Sequence, residues 1–467
     1  MIQFVLNQEA IATDLPSGMV LADYIRYHES LKGTKLGCRE GDCGACTVLV
    51  GTLEDGKVVY ESATSCLMPL GNALGKHIVT IEGLNLNNKL NVVQQAMTDE
   101  GGTQCGFCTP GFVVSLCGWL VSGKESSEEE GVLSIAGNIC RCTGYKSIER
   151  AIGQVSTQLE QLGAQYTLES LVEHEFLPAY FLDIPEQLAL QQANQPMDLN
   201  PDASNKVWVG GGTDLYVQRP KEMLNQSIEH AWLRDDLKGI WKASGHCHIG
   251  ASTSTEALKQ SELIQSLSPD ISHFFNLISS LQIRNMATVA GNLVNASPIG
   301  DVAIFLLGLR SNIVLNEHGA LREMPLSSFF KGYKTLDKRD SEFVQEVNFE
   351  LPRRYFYFNF EKVSKRTYLD IASVNTAMSL QLTIKDIVVE AGLAVGGVAA
   401  VPKFMFKTVE YLKGKPINRS VLDKSLEIAQ TEVSPISDVR GSAAYKRLLM
   451  RQLITAHYRK FFPHLYD

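Results

Sequence analysis

Eight of the ten cysteines in this 467-residue chain fall into two spaced groups within its first third: Cys38, Cys43, Cys46 and Cys66, then Cys105, Cys108, Cys140 and Cys142. Cysteine at this density either staples a small secreted domain or binds metal. The opening MIQFVLNQEAIATDLP has no cationic stretch leading into an apolar run, so nothing in it directs the chain to export. In the reducing cytoplasm, the expected location, clustered thiols point to metal.

The first group reads Cys-x4-Cys-x2-Cys with a distant fourth thiol, which matches the plant-type ferredoxin spacing for a 2Fe-2S centre. Within GCREGDCGAC, Gly37, Gly41 and Gly44 are expected to supply positive dihedrals and close amide approach. Zinc is the chemical rival, because four thiolates also make a tetrahedral site, although zinc more often uses paired Cys-x-x-Cys knuckles. The second group, Cys105-x2-Cys108 with Cys140-x-Cys142, sits at turns between helical stretches, and its spacing alone suits iron and zinc equally. Cys117, in an apolar helix, reads as a small buried hydrophobe. Cys247 is flanked by His246 and His248, which share the opposite face of a strand, so the three do not converge as ligands.

The chain is too long for one core, since domains hold about 100–200 residues, and three or four compact units are expected. Hydrophobic residues at 45% and charged residues at 20% suit a folded globular protein. A net charge of -8 argues against a nucleic-acid partner, and no run approaches the roughly 20 apolar residues of a membrane span. Alternation of Ile2, Phe4 and Leu6, a helix from Met19 to Tyr27, and strands at residues 47–50 and 57–60 joined by a turn over 51–56 describe a small mixed domain. Helical spacing then runs from Asn91 to Ala151, with Lys124 to Glu130 as a solvated loop. The domains are expected at 1–84, 85–155, 205–350 and 351–467, with 156–204 as a polar linker that holds a short helix near 182–190.

Val207-Trp208-Val209 runs into Gly210, Gly211, Gly212, Thr213, Asp214 and Leu215, a strand and a loop free of bulky side chains, where backbone N–H groups can approach a pyrophosphate. Thr288, Gly291, Asn292, Ser297 and Asp301 form a second loop region of short polar side chains suited to ribityl, ribose or phosphate oxygens. Asp301 is also placed to cap a helix from Val302 to Leu309. GTKLGCREGDCGACTV, QCGFCTPGF and GNICRCTGY, followed by VGGGTDL and RNMATVAGNLVNASPIGD, together resemble the xanthine dehydrogenase and aldehyde oxidase family. KVSKRTYLDIASV and AGLAVGGVAAVPK extend the likeness into the last domain.

That resemblance implies an α+β multidomain fold: a plant-type ferredoxin-like β-grasp domain, a helical 2Fe-2S bundle, a two-part α+β FAD-binding domain and a C-terminal α+β domain. It implies 2Fe-2S at both cysteine groups, FAD pyrophosphate on residues 210–215, and other FAD contacts at Thr288, Gly291, Asn292, Ser297 and Asp301, with Lys362 near the flavin. The position of a flavin-stacking aromatic aligns with Ile278, and the resemblance implies that Tyr333 borders the nicotinamide site. By the same likeness the chain is the small subunit of a xanthine dehydrogenase. It would pass electrons from a molybdopterin cofactor on a large partner subunit through both clusters to FAD and on to NAD+, in a heterotetramer. No sequence for a molybdopterin domain follows Asp467, and Gln104 with the loop of Cys140 and Cys142 is expected to face the partner. The alternatives are the equivalent subunit of an aldehyde or aromatic-substrate hydroxylase, and a zinc-bearing scaffold.

Overall fold

The computed structural model describes residues 1–163, 166–192 and 206–466. The chain divides into two compact units, Met1–Leu233 with Ser280–Ala287, and Arg234–Ser279 with Thr288–Asp467.

The first unit opens with a five-stranded sheet of β1 (Ile2–Leu6), β2 (Glu9–Thr13), β3 (Thr47–Glu54), β4 (Lys57–Thr64) and β5 (His77–Val79), ordered β2-β1-β5-β3-β4. Only the β1/β5 pair is parallel. The period-two alternation puts Ile2, Phe4 and Leu6 in the core. The turn expected over residues 51–56 shrinks to Asp55 and Gly56, because Glu54 already pairs with Lys57. Asp-Gly favours such a two-residue hairpin, so both strands run four residues further than expected. The segment expected as one helix from Met19 splits into Leu21–Asp23 and a wider turn at Tyr24–His28.

Helices Val92–Asp99, Thr109–Leu120, Glu128–Ser134 and Lys146–Gln161 follow. A reciprocal cap between Asn91 and Gln94 starts the first. The second has no polar face: residues 111–120 are all buried, with Phe112, Leu116 and Trp119 packed on Val93, Ile152 and Leu159. Cys117 is fully buried there, and desolvation pushes its thiol up to about 12. Part of the stretch expected as a linker is also folded. Helices Leu168–Glu173 and Ile184–Gln192 flank Phe181, whose ring lies 5.4 Å from Tyr60 and 5.6 Å from His77. Buried Leu177, Phe181, Ile184 and Leu188 recur every three or four residues, a signal that the polar composition around them conceals. The rest of that stretch lies outside the described residues.

The parallel pair β6 (Val207–Val209) and β7 (Ile228–His230) belongs to this unit as well. Tyr216 donates to the Gly18 carbonyl at 2.9 Å, and His230 Nδ1 meets Asn72 Oδ1 at 2.8 Å.

In the second unit, β8 (Ile240–Ala243), β9 (His246–Gly250), β10 (Asn312–Glu317), β11 (Ala320–Pro325) and, after the small hairpin β12 (Phe330–Gly332) and β13 (Thr335–Leu336), β14 (Phe343–Glu350) form an antiparallel sheet ordered β11-β10-β14-β9-β8. Cys247 points into its core with the thiol raised to about 12 by burial, while His246 and His248 take the other face. A second sheet, β15 (Phe356–Val363), β16 (Val374–Leu382), β17 (Val388–Gly396) and β18 (Lys403–Phe404), is covered by helices Arg419–Thr431 and Ala443–Phe461. Leu422, Met450, Ile454 and Tyr458 from these helices meet Met378, Leu380 and Leu393. The architecture is the α+β multidomain class expected. Among the described residues no helix is long and apolar enough to cross a membrane.

Two buried histidines make stability pH-dependent. His77 is held down to about 4 and His457 to about 3, both mainly by desolvation. His457 Nδ1 accepts from Asn359 Nδ2 at 2.8 Å, and its other nitrogen faces Thr376 Oγ1 at 2.8 Å. Below an unfolded value of about 6.5 the unfolded chain binds protons that the native chain does not, so stability is full above pH 6.5 and falls as pH drops toward the folded values. Each histidine contributes a loss on the order of 3–5 kcal/mol across that window. Denaturant titrations between pH 7.5 and 4 should show this decline, and His457→Gln should make it shallower. An equally steep decline in the variant would remove His457 from the account.

Candidate redox centres and flavin loops

Hairpin β3/β4 sets the first thiol group. Cys46 immediately precedes β3 and Cys66 follows β4 by two residues, and Ser65 ties the two ends by donating its Oγ hydrogen to the Cys46 carbonyl at 2.6 Å. Cys38 and Cys43 lie in the loop before Cys46, where Arg39, Gly41 and Gly44 have φ of 59°, 80° and 65°. Gly44 is required twice over, because a Cβ there would also lie 2.4 Å from the Gly137 carbonyl. Gly37 departs from expectation. Its φ is not positive, and its role is space, since a Cβ would crowd Cys43 Sγ at 3.0 Å.

Two helix starts set the second group. Cys108 is the N-cap of Thr109–Leu120, and Cys140 and Cys142 precede Lys146–Gln161. Helix N-termini favour negative charge, which suits thiolates. Tyr145 adopts φ 69°, a conformation non-glycine residues seldom take, and its hydroxyl accepts the Cys140 N–H at 3.0 Å. The Thr143 hydroxyl donates to Cys140 Sγ at 3.1 Å.

All ten cysteines are free, and the eight in question meet in pairs: Cys38 with Cys43, Cys46 with Cys66, Cys105 with Cys142, and Cys108 with Cys140. The contact with Cys43 holds Cys38 down at about 5, and the same contact drives Cys43 up. Cys46 is lowered by Cys66, which is itself raised well above a normal thiol. Burial, then Cys140, pushes Cys108 up to about 12. Desolvation opposes ionisation of Cys140, but hydrogen bonds from Thr143, Cys142 and Cys108 keep it lowered. Cys142 is raised by Cys105. One thiol of a pair thus shares its proton with the other, the arrangement a metal relieves by taking both as thiolates.

The pairs also act on one another, Cys38 on Cys46 and Cys66, and Cys105 on Cys108. Yet among the described residues no three or more His, Cys, Asp or Glu side chains converge tightly enough for a single ion. Zinc asks for four donors on one ion, whereas a 2Fe-2S centre asks for two ligands on each of two irons. Two pairs of thiols at each site match that ligand number.

The two candidate flavin loops lie on different units. In the first unit the Gly210 carbonyl accepts from Asn72 Nδ2 at 2.8 Å, and Gly211 is pressed on Met286, whose carbonyl would lie 1.9 Å from a Cβ. Gly211 is therefore fixed by protein packing on its side-chain face. A valine there would collide with Met286. Thr213, Asp214 and Leu215 are partly exposed at the start of helix Leu215–Gln218.

In the second unit, Thr288 caps helix Val289–Asn295 by accepting the Gly291 N–H at 3.1 Å. The capping role expected of Asp301 is overturned. Asp301 is already inside helix Asp301–Gly308, and it is Asn292 Oδ1 that accepts the Ala303 N–H, at 3.1 Å. Asp301 instead pairs with Lys362 at 2.8 Å and accepts from Asn375, while Lys362 also donates to the Leu277 carbonyl at 2.7 Å. Sequence reasoning missed Asn375, which is fully buried and also donates to the Ile299 carbonyl at 3.2 Å. Its partners lie more than 70 residues away, so no local pattern marks it. Ser297 Oγ accepts the Ile299 N–H at 3.4 Å. Ile278 is buried, and Tyr333 is exposed at the tip of the β12/β13 hairpin.

The Lys362 side chain is 1% exposed, so Asp301→Ala leaves a buried cation without its partner, at a cost of about 3–5 kcal/mol. Denaturant titration should show Asp301→Ala/Lys362→Met recovering most of that loss. A loss of only about 0.5–2 kcal/mol with no recovery would return Asp301 to the role of a cap.

Four domain families match in succession. Residues 4–70 match the 2Fe-2S iron-sulfur cluster binding domain and 80–153 the 2Fe-2S binding domain. Residues 188–353 match the FAD binding domain in molybdopterin dehydrogenase, and 359–461 the CO dehydrogenase flavoprotein C-terminal domain. Xanthine dehydrogenase 1 of Arabidopsis thaliana is 30% identical over 96% of this chain and 38% of its own length. Aldehyde oxidase 2 of Rattus norvegicus is 27% identical over 96% of this chain and 38% of its own. The chain thus spans about two fifths of the length of these curated relatives. The solved structure of reconstituted CO dehydrogenase from Oligotropha carboxidovorans shares the fold, with a TM-score of 0.50 and 23% identity over 53% of this chain and 87% of that one. The chain thus carries these four domain families in this order, and nearly all of its length is similar to xanthine dehydrogenases and aldehyde oxidases.

Proposed function

We propose that this chain is the electron-transfer subunit of a molybdenum hydroxylase, the small subunit of a xanthine dehydrogenase, working in the cytoplasm beside a large molybdopterin-binding subunit in a heterotetramer. The observation that carries this reading is the arrangement of eight cysteines as four contacting pairs, two pairs to a site. Cys38, Cys43, Cys46 and Cys66 would hold one 2Fe-2S cluster, and Cys105, Cys108, Cys140 and Cys142 the other. Residues 210–215 would contact the FAD pyrophosphate, with Thr288, Gly291, Asn292, Ser297, Asp301 and Lys362 on other parts of the cofactor. When bound, such clusters carry single electrons and the flavin joins one-electron to two-electron transfer.

The chain's own groups tune and aim that traffic. The Thr143 hydroxyl on Cys140 Sγ stabilises thiolate charge, one of the levers on cluster potential. Around the second site Gln104, Cys105, Phe107, Ile139 and Cys142 are exposed, Phe107 at 47% and Ile139 at 39%. Apolar side chains beside exposed thiols suit a permanent interface, and this is where the molybdenum subunit would dock. NAD+ would take the electrons at the flavin, with hypoxanthine and xanthine oxidised to urate on the partner. The aldehyde oxidase relatives keep a second reading open, the equivalent subunit for an aldehyde or aromatic substrate.

The purified chain should reduce an artificial dye with NADH but leave purines untouched, and a molybdopterin-bearing partner should restore purine oxidation. Purine oxidation by the molybdenum-free chain would overturn the assignment. Aldehyde oxidation without purine oxidation by the complex would select the second reading.

A further inference from the structure

A closed hydrogen-bond node sits between the two thiol groups. Asn138, two residues before Cys140, is 4% exposed, and its amide is fully engaged. Its Nδ2 donates to the Gly44 carbonyl at 3.1 Å, and its Oδ1 accepts from Ser115 Oγ at 2.8 Å and from Gln282 Nε2 at 3.0 Å. Gly44 is the residue after Cys43, and the next backbone N–H, that of Ile139, donates to the Cys43 carbonyl at 3.0 Å. The turn carrying Cys43 is thereby bonded to the turn carrying Cys140 at two successive residues.

Gln282 reaches this node from Ser280–Ala287, a segment that packs within the first unit. It is fully buried, and its Nε2 also faces Ser115 Oγ at 3.0 Å and the Ser134 carbonyl at 3.2 Å. Its Oε1 is buried without a hydrogen-bond partner. A methionine would fill the same volume with no orphaned oxygen, so the observation to explain is why an amide stands here. Its donors lock the Asn138 side chain in the one orientation that presents Nδ2 to Gly44.

We propose that Asn138, held by Gln282, is the positioning residue that fixes the separation and orientation of the two thiolate sets, and with them the rate of electron exchange between the two clusters. The inference rests on the two-cluster reading above. In the step concerned one electron leaves one centre and is gained by the other, with no bond made or broken. Tunnelling of this kind is steeply sensitive to separation, so a small drift of the Cys43 turn against the Cys140 turn is enough to slow it.

The test uses the full chain, purified anaerobically, as wild type, Gln282→Met and Asn138→Leu. Iron and labile sulfide are measured first, then the magnetic splitting between the two reduced clusters by electron paramagnetic resonance, then electron equilibration between them after pulse reduction. Gln282→Met is expected to keep both clusters, to alter the splitting and to slow equilibration severalfold, with a larger effect in Asn138→Leu. Unchanged splitting and rate in variants that hold both clusters would overturn the proposal. Loss of iron from Gln282→Met would overturn it too, because the node would then be a structural brace. A wild-type chain carrying zinc, or a single cluster, would instead refute the two-cluster reading.

Discussion

Eight thiols held in four contacting pairs set the terms for the first unit of this protein. Thiols so placed cannot all ionise side by side in the apo chain, and the opposed shifts within pairs, Cys38 down and Cys43 up, Cys46 down and Cys66 up, record that conflict. The fold supplies what keeps the pairs together despite it. A long hairpin, two helix N-termini and several left-handed backbone positions hold the two loops in shape. The expected release of the conflict is metal, and the two matched 2Fe-2S domain families, with four thiols in each, fit two irons per site.

The two thiol loops and the segment Ser280–Ala287 also form a physical series within the first unit. The Cys43 and Gly44 carbonyls bind the Ile139 and Asn138 N–H groups, Asn138 binds Gln282, and Asn285, three residues beyond Gln282, donates to the Ser62 carbonyl on β4 at 2.9 Å. Asn138, Gln282 and Asn285 are buried, where an unmade hydrogen bond is costly, so their links hold the elements in a fixed relation within that unit. A relay of single electrons needs that fixity more than it needs a reactive side chain. None of the eight thiols has to act as a nucleophile.

The legible parts of this molecule were those with local signatures. Cys-x4-Cys-x2-Cys needs only a short loop, the alternation of Ile2, Phe4 and Leu6 needs one strand, and both stood in the sequence as they stand in the fold. What failed were inferences about who partners whom. Asp301 read as a cap because it precedes an apolar helix, but its partner Lys362 lies 61 residues on, and Asn292 takes the capping bond. Gly211 read as a loop residue that bares its backbone, and nothing local showed that Met286, 75 positions later, packs on its side-chain face. The short helix expected near 182–190 is present at Ile184–Gln192, but the polar residues around it hid buried Phe181 and helix Leu168–Glu173, which fall in the stretch expected as a linker. Pairing at long range leaves no trace in composition or local period.

What the paired cysteines hold decides what this protein can do. Metal and labile-sulfide analysis of the anaerobically purified chain, read with its electron paramagnetic resonance spectrum after reduction, tests this directly. Two 2Fe-2S sites predict about four iron and about four sulfide per chain, with two distinguishable cluster signals. Stoichiometric zinc, with no labile sulfide and no signal on reduction, would contradict it.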